Sequence, residues 1–175
     1  MSVTNLSPDS IILADGVTGT DGQVLSNDNI AVLSDSNSSS GIIFQENNSI
    51  LAFNVSNLDI PDQEEITGVI VQCDLVLGSK TTLTLRGTTD AEIEDPANFN
   101  GIGSYIGTPA NNIELADLGI LSRTEINNLK LSLTCSTSSH VISEVRIAVT
   151  HGSPPSGVIT LTEGVSILKE GVITL

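Results

Sequence analysis

The chain has 175 residues, 39% of them hydrophobic and 2% aromatic, and 6 Lys+Arg stand against 21 Asp+Glu for a formal net charge of −15. Such a length fits one domain plus an appendage, and the apolar fraction supplies a core, which excludes global disorder. The charge repels phosphate backbones and anionic lipid and leaves no basic stripe for counterion release, so the expected partners include no nucleic acid and no membrane.

The charge is unevenly placed. Residues 1–120 hold 17 acids against two bases, Lys80 and Arg86, whereas residues 121–175 hold four of each and sum to zero. The aromatics are Phe44, Phe53, Phe99 and Tyr105, with no Trp, so the core is expected to be Ile, Val and Leu, which suit half-buried pleated surfaces. No apolar run approaches the ~20 residues of a membrane span and no basic-then-apolar start is visible, so the expectation is synthesis in a cytoplasm.

In the first 40 residues, Ile11-Ile12-Leu13 and Ile30-Ala31-Val32-Leu33 alternate with turn chemistry at Asp15-Gly16 and Asp21-Gly22. Short strands and an extended arm both fit. Residues 42–44 and 50–55 read as strands around the polar turn Glu46-Asn47-Asn48-Ser49. After Ile60-Pro61-Asp62 comes the longest strand signal, residues 66–77. Val69, Val71, Cys73, Leu75 and Leu77 share one face, with Ile70, Gln72, Asp74 and Val76 on the other. Gly78-Ser79 then predicts a hairpin into residues 81–86, where Leu83 and Leu85 face in and Thr82, Thr84 and Arg86 face out.

Residues 87–120 read as an irregular section, rich in Gly, Pro and acids, and a loop this long inside a domain is often a binding loop. Ser122-Arg123-Thr124-Glu125 has capping-box spacing and predicts a helix of at most two turns, ending near Leu129. Residues 129–135 and 141–149 follow as two strands of strict period two. Repeated alternation with one polar face indicates antiparallel sheets packed face to face. The fold expected is all-β: an antiparallel, jelly-roll-like β-sandwich with one short helix and extended terminal arms. Its parts are an N-terminal arm or short strands (1–40), the sandwich (41–152), and a linker with a repetitive tail (153–175).

That tail repeats Gly-Val-x-x-Leu-x-Glu with period seven from Gly157. Recurrent Gly and β-branched residues are poor helix material, so short β segments fit better than a coiled coil. Val158, Ile159, Leu161, Val165, Ile167, Leu168, Val172, Ile173 and Leu175 cannot all be buried by a 19-residue appendage on its own, and in water they form an aggregation-prone edge. They are the candidate protein-interface residues. The partner surface is the chain's own domain, a symmetry mate, or another protein paired by strand addition.

Signals for chemistry are sparse. His140 and His151 sit at strand or domain edges without a companion motif, and solvated edge histidines are the expectation. Cys73 and Cys135 fall on apolar strand faces, where a disulfide would staple the sandwich; unpaired, buried thiols are favoured in a reducing cytoplasm. Asp90, Glu92, Glu94 and Asp95, and separately Asp15, Asp21 and Asp28, lack calcium-loop spacing and read as solvated loops. No catalytic residue, metal or cofactor is expected. The shortage of aromatics weakens a glycan-binding role.

From Phe53 to His151 the order of elements resembles small β-sandwich modules found in structural proteins of tailed bacteriophages. The matching pieces are Ile60-Pro61-Asp62 leading into Ile66-Thr67-Gly68-Val69-Ile70-Val71-Gln72, the Leu83–Leu85 strand, the helical Leu121–Asn128 stretch, residues 129–135, and the closing Val145–His151 strand. Where such modules often carry Trp or Tyr, this chain has Leu118-Gly119 and Thr150-His151. The resemblance implies a non-enzymatic virion protein. A capsid cement (decoration) protein would sit on the outer capsid surface and bridge capsomers through its terminal arms. Its partners would be the major capsid protein and itself, as a trimer. A tail, neck or fibre module, receptor- or glycan-binding, is the alternative.

Overall fold

The computed structural model describes residues 1–34 and 40–153. Its strands are β1 (Ser2–Leu6), β2 (Pro8–Asp15), β3 (Val17–Gly19), β4 (Ile42–Phe44), β5 (Ile50–Val55), β6 (Glu65–Leu77), β7 (Thr81–Thr88), β8 (Asn100–Gly107), β9 (Ala110–Gly119), β10 (Lys130–Cys135) and β11 (His140–Gly152), with helix α1 at Arg123–Asn127. One sheet runs β3-β4-β11-β6-β9, with β1 also paired to β11; the other runs β2-β5-β10-β7-β8. All pairings are antiparallel. The protein is a β-sandwich. From β4 onward, the pairings β4-β11-β6-β9 and β5-β10-β7-β8 are those of a jelly roll.

Period-two patterning explains the core. Val69, Val71, Cys73 and Leu75 of β6 and Val145, Ile147 and Val149 of β11 meet Leu83, Leu85, Leu131, Leu133 and Phe53 of the facing sheet, all essentially inaccessible. Fully burying each such side chain contributes about 1.5–3 kcal/mol. The same alternation turns Thr82, Thr84, Arg86, Lys130, Ser132 and Thr134 away from that core.

Two expectations are corrected and one open choice is decided. The predicted hairpin between residues 66–77 and 81–86 does not form: β6 and β7 lie in opposite sheets, and the chain crosses the sandwich at Gly78. The inward faces were read correctly, but two apolar faces also meet across a core. At Gly78 φ is +133° and a Cβ would fall onto the His140 ring, so the crossing is open only to glycine. Within 87–120 the structure holds two further strands, β8 and β9, and only residues 89–99 remain a loop. Here glycines erase the alternation. Gly103 lies against the Leu115 carbonyl, with no room for a Cβ, and β9 shifts register against β6 at three places. Of the two readings left open for residues 1–40, short strands form over residues 2–19: β1 lies along β11, with Ser2 opposite His151 and Leu6 opposite Ile147.

Helix α1 carries the full capping box, with the Ser122 side chain accepting from the Glu125 N–H and the Glu125 carboxylate accepting from the Ser122 N–H at 2.8 Å. Its Ile126 is fully buried, which supplies the tertiary packing that a helix this short requires. Among the described residues, no helix is long and apolar enough to cross a membrane.

Candidate functional site

The outer face of β2-β5-β10-β7-β8 carries a polar ladder set by strand register. Asn54 lies opposite Lys130, Ser132 stands between Ala52 and Arg86, and Thr134 stands between Ile50 and Thr84. Loop 89–99 crosses over this face as a strap. Lys130 Nζ donates to the carbonyls of Ala91 (2.9 Å) and Ile93 (2.8 Å), which fastens it to the sheet. Asp90 accepts from the Glu92 N–H and Asp95 from the Ala97 N–H, each at 2.9 Å, and Asp95 thereby caps the short 3-10 turn Pro96–Asn98.

Beside the strap runs an open groove of ≈370 Å³, lined by Leu13, Ile50, Thr84, Arg86 and Thr134 of the sheet and by Asp95, Pro96 and Ala97 of the strap. A smaller recess of ≈240 Å³ between Ile12, Asn54, Glu94 and Lys130 lies on the same face. Ala52 and Ser132, which face away from the inter-sheet core, are nonetheless buried, and the Ser132 hydroxyl has no hydrogen-bond partner among the described residues.

Cation engagement separates Arg86 from most of the other bases. Arg123 donates to the Ile60 and Pro61 carbonyls, Lys130 holds the strap, and Arg146 pairs with Asp74 (2.8 Å) and Glu144 (2.5 Å). Arg86 is exposed at the groove, and no described residue pairs with its guanidinium. The groove therefore presents a planar donor with no partner among the described residues, two threonine hydroxyls and one carboxylate, a set able to exchange hydrogen bonds with a polar molecule.

A second cavity of ≈420 Å³ opens at the end of the sandwich, lined by Gly87, Thr88, Thr89, Asp90, Ile93, Asn100, Ile102, Leu118, Leu121 and Leu129. It adjoins the base of the strap and gathers apolar side chains with no cation.

Both histidines were expected at solvated edges and both are buried instead. His140 is 1% exposed, with Nε2 at 3.0 Å from the Ser79 carbonyl and Nδ1 at 3.0 Å from the Ser138 carbonyl. His151 contacts Glu64 through Nδ1 and Thr4 Oγ1 through Nε2 at 2.9 Å, tying β1 and the approach to β6 onto β11. They lie at strand ends, but the sandwich covers them because its crossings pass over those ends. Cys73 and Cys135 are buried and unbonded to each other. Burial, aided by the charge of Asp74, pushes the Cys73 thiol up to about 12, so no thiolate nucleophile is available there.

Among the described residues, no three of the His, Cys, Asp or Glu side chains assemble as a metal-ligand group. The carboxylates of Asp21, Asp90 and Asp95 accept from backbone N–H groups of their own turns. The nine candidate interface residues, Val158 to Leu175, lie outside the described residues, as does most of the predicted linker. The outward positions of Thr84 and Arg86 were legible from alternation. What was not legible was the strap, because nothing in the local pattern of residues 89–99 states which sheet face they cross.

No family model matches this sequence, and no curated protein matches it. Among solved structures, the chain is similar to the C-terminal carbohydrate-binding module of family 6 from LamC, a marine laminarinase of Zobellia galactanivorans, with TM-score 0.48 and 8% identity over 83% of this chain and 98% of that one. It is also similar to the CBM22-1–GH10 modules of Clostridium thermocellum xylanase 10B, complexed with xylohexaose, with TM-score 0.34 and 14% identity over 88% of this chain and 30% of that one. Both TM-scores lie below 0.5, and the sandwich architecture rests on the strand pairing described above.

Proposed function

We propose that this chain is a non-enzymatic recognition module that binds a polyhydroxylated ligand, a glycan, along the strapped face of β2-β5-β10-β7-β8. In the virion setting implied by the sequence resemblance, that is the role of a receptor- or glycan-binding tail, neck or fibre component. One observation carries the reading: the ≈370 Å³ groove in which Arg86, unpaired among the described residues, sits with Thr84, Thr134 and Asp95. Alternating donors and acceptors on a rigid sheet suit sugar hydroxyls, which need both. A catalytic reading finds no support in either histidine or in the buried Cys73 thiol, all of which are committed to the fold.

The three phenylalanines are buried and Tyr105 is half-buried, donating to the Thr108 carbonyl at 2.8 Å, so the described residues offer no open stacking platform. Binding then relies on hydrogen bonds exchanged with water and is weak, with Kd on the order of 1 mM. Titration of the full chain and of a Thr84→Val/Thr134→Val variant with an oligosaccharide panel tests this. The wild type should bind at least one member and the variant should bind it about tenfold more weakly. A panel without binding, or binding indifferent to the two substitutions, contradicts the reading.

A second reading, the capsid decoration protein, is favoured by the tail repeat, two full Gly-Val-x-x-Leu-x-Glu units and a third that runs to Leu175, and by its nine apolar side chains. Here the tail, which follows β11 in the sequence, pairs with copies of the chain as a trimer and with the major capsid protein. Deleting residues 157–175 should abolish self-association and shell binding; retention of both would remove this reading.

A further inference from the structure

Resting on the recognition reading above, we infer that the groove selects an anionic sugar, with Arg86 receiving the carboxylate or sulfate and Asp95 receiving ring hydroxyls. The argument starts from charge. Residues 1–120 hold 17 acids and two bases, and Arg86 is one of the two. Arg146, on the opposite sheet, engages Asp74, Glu144 and the Asn112 side chain together. Arg86 instead stands in register between Ser132 and Gly101, a hydroxyl residue and a residue with no side chain, and no described residue pairs with it. Its planar fork matches a carboxylate or sulfate bidentately.

The net charge of −15 does not overrule this local arrangement. At physiological salt the screening length is about 8 Å, so distant carboxylates act weakly on a ligand in the groove. In the groove itself the sheet contributes Arg86 as the cation and the strap contributes Asp95 as the anion, while Lys130 and Glu94 line the neighbouring recess. Positive floor and negative rim orient a sugar that carries one anionic group and several hydroxyls: the acid group points to the floor, and the hydroxyls donate to the strap. A neutral sugar leaves the guanidinium without a charged partner. A polyanion such as nucleic acid meets the strap carboxylates and the global charge together, and is disfavoured.

The experiment compares two probes on the full chain by calorimetry or NMR titration, tetragalacturonate and xylotetraose, at low and physiological salt. The wild type should prefer the acidic probe about tenfold, equivalent to about 1.4 kcal/mol, and that preference should shrink as salt rises. Arg86→Gln should remove the preference by weakening tetragalacturonate binding about tenfold more than xylotetraose binding, and Arg86→Lys should restore only part of it because an ammonium lacks the fork. Equal binding of the two probes by the wild type, or a preference that survives Arg86→Gln, overturns the inference and leaves the recognition reading standing. Binding of neither probe overturns it as well, and the wider oligosaccharide panel then decides the recognition reading separately.

Discussion

His140 and Gly78 form one structural unit. The imidazole lies against the Gly78 backbone at the β6–β7 crossing and reaches the carbonyls of Ser79 and Ser138 on either side. A methyl at position 78 would overlap the ring, and the backbone there has φ +133°. Gly78→Ala is therefore expected to destabilise the fold by about 1–3 kcal/mol, read as a lower thermal midpoint with unchanged secondary structure. The Asp74–Arg146–Glu144 cluster on the outer face of β6 and β11 gives a pH-dependent counterpart. Burial pushes the Asp74 carboxyl up, but the hydrogen bonds from Arg146 and the Asn112 N–H, with the Arg146 charge, hold it below the ordinary 3.8. A depressed carboxylate stabilises the fold above its unfolded-state value and loses that contribution as pH falls through the folded one. Thermal midpoints should drop as pH goes below about 4, and Asp74→Asn should show a shallower drop. Identical acid limbs for the two proteins would contradict the assignment.

Among the elements, the strap is the piece on which the site depends. Two hydrogen bonds from the Lys130 ammonium fasten it, and hydrogen bonds to a charged donor contribute about 1.5–3 kcal/mol before solvent exposure reduces them. Lys130→Met should raise amide exchange in residues 92–98 roughly tenfold, a local opening change of about 1.4 kcal/mol, while the inter-sheet core stays protected. Unchanged exchange would mean that Pro96 and the internal turns hold the strap without Lys130. Strands that bury one face, β6, β10 and β11, announced themselves by alternation, and α1 by its capping box. Strands β8 and β9 did not, since Gly101, Gly103 and Gly107 and the register shifts interrupt the period. Alternation also reports which side chains turn inward but not which strand lies alongside, which is why β6 and β7 read as a hairpin when they face each other across the core.

For the whole molecule, the jelly roll places its two polar outer faces on opposite sides, with different side-chain pairing on each. On the β3-β4-β11-β6-β9 side, Arg146 is engaged by two carboxylates; on the β2-β5-β10-β7-β8 side, Arg86 lines a groove with no partner among the described residues. Composition counts aromatics but does not show the strand register that sets Thr84, Arg86 and Thr134 beside one groove. The tail repeat, plain in the sequence, belongs to the assembly reading and is independent of the groove. The most direct measurement is backbone amide shift mapping of the full chain during titration with an oligosaccharide that it binds. Perturbations should gather at Ile50, Thr84, Arg86, Thr134 and residues 95–97. Perturbations gathered instead around Asp74, Glu144 and Arg146, or at the cavity between Thr88 and Leu121, would contradict the proposed binding face.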